Sequence, residues 1–137
     1  MRTVRILAVE DNPADIELVR EALSARALAH SLEVASDFDE ARAYIQSIVE
    51  GSPRPDVILL DLNLPKGSGM ELLKLLRAVS EFQRVPVIIV TSSNSVRDRD
   101  SAARLGAARY FRKPTDFEEF MTLGPLVESV LADSAAS

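Results

Sequence analysis

Val57-Ile58-Leu59-Leu60-Asp61-Leu62-Asn63-Leu64-Pro65 is the stretch on which the fold turns. Four consecutive apolar residues predict a short strand buried on both faces, as inner strands of parallel sheets are. Asp61 stands where that strand must end, and a proline follows soon after. Open α/β sheets place their ligands beyond the carboxyl ends of such strands, which makes Asp61 a candidate for chemistry. Asp is also a common turn starter, so this stretch alone leaves both readings open.

Working outward, Val4 to Val9 forms a first strand ending in Glu10-Asp11-Asn12-Pro13, where Asp11 or Asn12 suits a helix cap and Pro13 its first turn. Ile16, Val19 and Leu23 then repeat at helical spacing. Ser31 to Ala35 alternates polar and apolar residues and predicts an edge strand. Asp37 or Asp39 opens a second helix with the stripe Ala41, Tyr44, Ile45 and Ile48. Beyond the central stretch, a turn from Pro65 to Gly69 leads to a helix lined by Leu72, Leu75, Leu76 and Val79. Val87 to Val90 is a second fully apolar strand. The helix after it, Val96 to Leu105, has few large apolar anchors and should be loosely held. Arg109 to Arg112 makes a short polar-edged strand before Lys113-Pro114. The last helix carries Phe117, Phe120, Met121, Val127 and Val130, with a kink or break expected at Gly124-Pro125. Residues Ala132 to Ser137 are expected to fray.

Strand and helix alternate five times, which predicts an α/β domain with a parallel five-stranded sheet. Polar edges on the second and fifth strands match the order 2-1-3-4-5, with a ligand-binding switch point between strands one and three. The 137 residues suffice for one domain with a substantial core. Without cysteine, no disulfide framework or thiolate metal site is available, and the single histidine, His30, rules out a multi-histidine one. No apolar run approaches the roughly 20 residues that cross a bilayer, and the N-terminus has no signal-like apolar region. A cytoplasmic protein is the expectation. The net charge of −5 argues against nucleic-acid binding.

On this topology Glu10, Asp11, Asp61, Thr91 and Lys113 all fall at the carboxyl edge of one sheet. Crowded carboxylates repel one another and call for a compensating cation, and an all-oxygen ligand set favours Mg²⁺. Such an ion can bridge a carboxylate and a phosphoryl group, with Thr91 and Lys113 holding the remaining phosphoryl oxygens. A carboxylate is deprotonated near neutral pH, so Asp61 could attack phosphorus without a general base.

At these residues the chain resembles the receiver domains of two-component response regulators, with their flavodoxin-like (βα)5 fold as in the chemotaxis regulators. The matching motifs are Val9-Glu10-Asp11-Asn12, Asp61 to Pro65 with Gly69 eight residues past the aspartate, Val90-Thr91-Ser92, and Tyr110 to Pro114. Glu10 to Asp15 and Asp61 to Pro65 are most similar to the stand-alone regulators partnered with bacterial phytochrome-type kinases. The resemblance implies that Asp61 is the phosphoacceptor for a sensor histidine kinase or a phosphotransfer protein. It implies that Asp11, Asp61 and the Asn63 carbonyl hold Mg²⁺, with Glu10 acting through water. It assigns Thr91 and Lys113 to the phosphoryl group, and Thr91 and Tyr110 to a conformational switch. Asn63 and Ser93 would tune dephosphorylation by gating the hydrolytic water, small Ser93 leaving access open. The Lys113-Pro114 peptide would be cis.

Residues around the fourth helix, fifth strand and fifth helix (Arg97, Asp98, Arg99, Asp100, Arg109, Arg112, Glu118, Glu119) form either a solvated face or a surface for a target or a homodimer. His30 lies away from the site and should sit at the surface. With few residues after the last helix, output should be a protein contact, a relay step or a phosphate sink, not an attached module. An aspartyl-phosphate phosphatase of related topology is the alternative. It usually carries a second aspartate two residues after the nucleophile, where this chain has Asn63. A phosphate-independent docking domain is the third reading.

Overall fold

The computed structural model describes residues 2–136. Met1 and Ser137, the latter the last residue of the tail expected to fray, lie outside them. The strands are β1 (Val4–Val9), β2 (His30–Ala35), β3 (Val57–Leu60), β4 (Asn63–Leu64), β5 (Gly67–Ser68), β6 (Val87–Thr91) and β7 (Arg109–Arg112). The helices are α1 (Pro13–Ser24), α2 (Phe38–Val49), α3 (Gly69–Ala78), α4 (Val96–Arg104), α5 (Phe117–Phe120) and α6 (Leu123–Ala136). The main sheet is all parallel in the order β2-β1-β3-β6-β7, so its five strands follow the anticipated 2-1-3-4-5 succession. The added numbers come from β4 and β5, a small antiparallel ribbon that the sequence reading took for a plain turn.

Strand alternation divides the core into two layers. Leu7, Val9, Ile58, Leu60, Val87 and Ile89 face α2, α3 and α4. Ile6, Ala8, Val57, Leu59, Ile88 and Val90 face α1, α5 and α6. Every residue of β3 is 2% exposed or less, as expected of a strand covered on both faces. The caps resolve the sequence alternatives: Asn12 caps α1 through Ala14 and Asp15, and Asp37 caps α2 through Glu40. That Glu40 N–H, donating to the Asp37 carboxylate, is the first reason the Asp37 pKa lies below its ordinary value.

Three helical details depart from the expected stripes. Ala22 is sealed in α1 while Ile16 is only half-buried. Leu73 joins Leu72 and Leu76 in the core, and Leu75 lies nearer the rim. The C-terminal helix breaks between Phe120 and Leu123, and Pro125 sits in the first turn of α6, where its missing N–H costs nothing. Gly124 is required there because α6 crosses α1 so closely that a Cβ would fall 2.6 Å from the Ala22 carbonyl oxygen. α6 then continues through Ala136, beyond the residue where fraying was expected. None of the described helices is long and apolar enough to cross a membrane.

Candidate phosphoryl-transfer site

The carboxyl ends of β1, β3, β6 and β7 deliver Glu10, Asp61, Thr91 and Lys113 to one edge of the sheet. Parallel pairing fixes their relative heights: Val9 stands beside Leu60, and Asp61 N–H donates to the Val9 carbonyl at 3.0 Å. Lys113 N–H donates likewise to the Thr91 carbonyl at 2.8 Å. Glu10 and Asp61 are each 5% exposed and Thr91 is fully buried, whereas Asp11 opens to solvent. Buried charges need partners, and here they have them.

The Lys113 ammonium is the hub. Its Nζ lies 2.6 Å from Glu10 Oε1, 2.8 Å from Asp61 Oδ2 and 2.8 Å from Asp15 Oδ2. An ammonium has three donors, and three carboxylates take them. Glu10 turns its other oxygen to the N–H groups of Asp11 and Asn12, both at 3.1 Å, which shapes the loop into α1. Asp61 Oδ1 accepts the Asn63 N–H at 3.0 Å, so the ribbon strand β4 begins on the candidate nucleophile itself. The Asn63 side chain is exposed.

Burial pushes the Glu10 pKa up from 4.5 to about 7, with the Asp61 charge adding to the rise and Lys113 opposing it. Burial works against the Lys113 charge, but the Asp15, Asp61 and Glu10 carboxylates outweigh it and hold that pKa above the ordinary lysine value. Glu10, Asp11 and Asp61 each offer an oxygen within 4.8 Å of the others. One ammonium against these carboxylates leaves the cluster negative, and an all-oxygen donor set of this kind suits a hard divalent cation.

Thr91 and Tyr110 are linked through the segment after β6, not through Asp61. The Thr91 hydroxyl oxygen faces the Ser93 N–H at 3.4 Å, a long contact. The Tyr110 hydroxyl donates to the Ser93 carbonyl at 3.1 Å, and the Arg99 guanidinium lies 4.4 Å from the Tyr110 ring centre. The Ser93 hydroxyl donates to Asp98 on α4 at 2.6 Å. His30 is half-buried at the start of β2, on the opposite edge of the sheet, with Nδ1 2.9 Å from the Leu28 carbonyl oxygen.

Two points correct the sequence reading. Asp15 belongs to the cluster and was missed; its place in the first turn of α1, one turn past Asp11, was the available signal. The Lys113-Pro114 peptide is trans, as are all peptide bonds among the described residues. The small trans preference of X-Pro bonds leaves either isomer open to local packing.

The comparisons agree with this fold. The response regulator receiver domain model matches residues 6–123. Response regulator Rcp1 of Synechocystis is 36% identical over 126 residues, covering 90% of this chain and 86% of Rcp1. Response regulator MprA of Mycolicibacterium vanbaalenii is 35% identical over 118 residues, 86% of this chain but only 47% of MprA. The phosphorylated cyanobacterial phytochrome response regulator RcpA superimposes with a TM-score of 0.86 at 32% identity, covering 96% of this chain and 95% of RcpA. The Mn²⁺-bound form of Rcp1 gives 0.83 at 35% identity, with 92% of each chain covered.

Proposed function

The chain belongs to the response regulator receiver domain family, the phosphoaccepting modules of two-component signalling, and we propose that Asp61 is its phosphoacceptor. The observation that carries this reading is the buried Asp61 carboxylate paired with Lys113, beside two further carboxylates at the carboxyl edge of the sheet. An Asp61 oxygen attacks phosphorus of a phosphohistidine on a sensor kinase or phosphotransfer protein. The new O–P bond forms as the P–N bond breaks, and the imidazole nitrogen keeps the electron pair. Lys113 turns from Asp61 to a phosphoryl oxygen, and the Thr91 hydroxyl donates to another. Glu10 (through water), Asp11, Asp61 and the Asn63 carbonyl would hold Mg²⁺, which when bound offsets the charge of the phosphoryl group.

No second carboxylate replaces Asn63 as an acid/base, which favours a phosphoacceptor over a phosphatase with turnover. The complete acidic set disfavours a phosphate-independent docking role. Thr91 and Tyr110 act as the switch pair, and Asn63 and Ser93 tune the lifetime of the phosphoryl group. The surface that responds is α4, β7 and the α5–α6 segment, where Val96 is 72% exposed and Phe117 48% exposed, and it would meet a target protein or a second copy of the chain. Likeness to Rcp1 and RcpA supports a phytochrome-type kinase as donor. The negative net charge supports protein partners over nucleic acid, and the whole supports a cytoplasmic receiver domain with its core over 4–131.

Incubation with acetyl phosphate and Mg²⁺, followed by intact-mass measurement, should give one phosphoryl adduct that is absent in Asp61→Asn. Multiple turnover without an adduct that Asp61→Asn abolishes would favour the phosphatase instead.

A further inference from the structure

Asp15 is the member of the cluster that the transfer step leaves unused. It is not among the three carboxylates that converge on a candidate cation position. Its Oδ2 is nevertheless 2.8 Å from Lys113 Nζ, as close as that of Asp61. Lys113 is the side chain that has to change partners when phosphate arrives. Of its three carboxylates, Asp61 loses its charge on becoming an acyl phosphate, and Glu10 belongs to the set suited to a cation. Asp15 alone keeps both acceptor oxygens unaltered through the transfer and has no competing task.

The backbone around Asp15 is also firmly placed. Its N–H donates to the Asn12 side-chain oxygen at 3.3 Å, and Pro13 fixes the dihedral at the start of the same turn. A carboxylate on a capped helix turn is a better fixed point than one on a loop.

We propose that Asp15 is a positioning residue: it retains the Lys113 ammonium at the site while Asp61 gives it up, so that an N–H can swing from the carboxylate to a phosphoryl oxygen. The proposal rests on the phosphoacceptor reading of Asp61. The competing explanation is that Asp15 only adds favourable first-turn charge to α1, a role that would affect stability slightly and transfer not at all.

Two measurements separate these. The first is the rate of adduct formation with acetyl phosphate and Mg²⁺ at saturating donor. Asp15→Ala should slow it by about tenfold, less than the roughly hundredfold of a reacting group misplaced by about 1 Å because two of the three partners of Lys113 remain, and Asp15→Asn, which keeps an acceptor oxygen of the same reach, should recover most of the loss. The second is the side-chain ¹H–¹⁵N signal of Lys113 in metal-free protein, protected from exchange by its three partners. It should be lost in Asp15→Ala and retained in Asp15→Asn. A wild-type rate in Asp15→Ala would overturn the proposal, as would an unchanged Lys113 signal in that variant. If the wild-type chain itself takes up no phosphate, the reading of Asp61 falls and the transfer role of Asp15 falls with it. A normal adduct in wild type and in Asp15→Ala alike removes only the role of Asp15.

Discussion

α3 and α4 leave the same edge of the same sheet and cover the same face of it, yet they are held in different ways. α3 buries Gly69, Leu72, Leu73 and Leu76, and α4 buries Ala102 alone. The start of α3 is joined to the site by backbone: Gly69 N–H donates to the Leu62 carbonyl at 3.0 Å, one residue past Asp61. Its far end is pinned by Arg77, whose guanidinium donates to the carbonyls of Phe82, Gln83 and Val85. α4 is tied to the site by side chains instead, through Ser93–Asp98 and through Arg99 over Tyr110. Packed apolar surface resists displacement, whereas a few hydrogen bonds of about 1 kcal/mol each can be exchanged. The fixed helix thus holds the candidate phosphoacceptor in place, and the loosely held one is free to report on it.

The largest test attacks the fixed side. A Cβ on Gly69 would fall 2.6 Å from Leu62 Cα and closer still to the Asp61 carbonyl oxygen, both backbone atoms that cannot rotate away. Gly69→Ala should cost about 4 kcal/mol in urea denaturation and displace Asp61, while Val96→Ala at the exposed start of α4 should stay within about 0.5 kcal/mol. A Gly69→Ala protein of normal stability would mean that α3 can slide, and the contrast would collapse.

A smaller effect comes from pH. Because the Glu10 pKa rises from 4.5 to about 7 on folding, the folded state binds more protons than the unfolded chain between those values. The Glu10 contribution to stability is therefore most favourable below pH 4.5, declines through this window, and levels off above 7, a loss of roughly 3 kcal/mol at most. In metal-free protein, wild type should show this decline relative to Glu10→Gln, which has no carboxylate to ionise. Lys113 adds nothing to the slope here, since its raised pKa gives stability that is lost only in the strongly alkaline range. Amide exchange in the well-packed α3 should follow the decline once intrinsic exchange is corrected; exchange in the sparsely packed α4 should not. Equal responses in the two helices would show that they open together.

The same contrast explains what could be read from the sequence. Strands β3 and β6 are continuous apolar runs, and the order of the sheet followed from which strands had polar edges. The scarcity of large apolar residues in α4 announced its loose packing, and two of its apolar residues, Val96 and Ala103, are exposed. Glu10, Asp61, Thr91 and Lys113 were legible because each ends a strand, and strand ends in a parallel sheet share an edge. Asp15 was not, because a first-turn acid on a helix is usually there for the helix dipole, and its meeting with Lys113 spans 98 residues of chain. The β4–β5 ribbon was hidden by its length: two residues a side are too few for any period. Phe82 and the 3₁₀ turn around it close the bottom of α3 by tertiary packing, which no local pattern encodes.

The smallest effect probes the loosely held helix. Ser93 was expected to matter because a small side chain leaves room for water near the phosphoryl group, but its hydroxyl is committed to Asp98. Ser93→Ala keeps the small volume and the carbonyl that accepts from Tyr110, and removes the hydroxyl's bond to Asp98 on α4 together with the longer one it accepts from the Ser95 N–H at 3.3 Å. The loss should be about 1 kcal/mol, which would speed local exchange of the α4 amides by about fivefold and leave α3 unchanged. Ser93→Ala also separates two influences on the phosphoryl group. If access of water governs its lifetime, the alanine variant should match wild type, because no bulk has been added. If the tie to α4 restrains Thr91 through the Ser93 backbone, the lifetime should change along with the exchange rate. Unaltered exchange in α4 would place its looseness in poor packing alone and remove Ser93 from the path between site and surface.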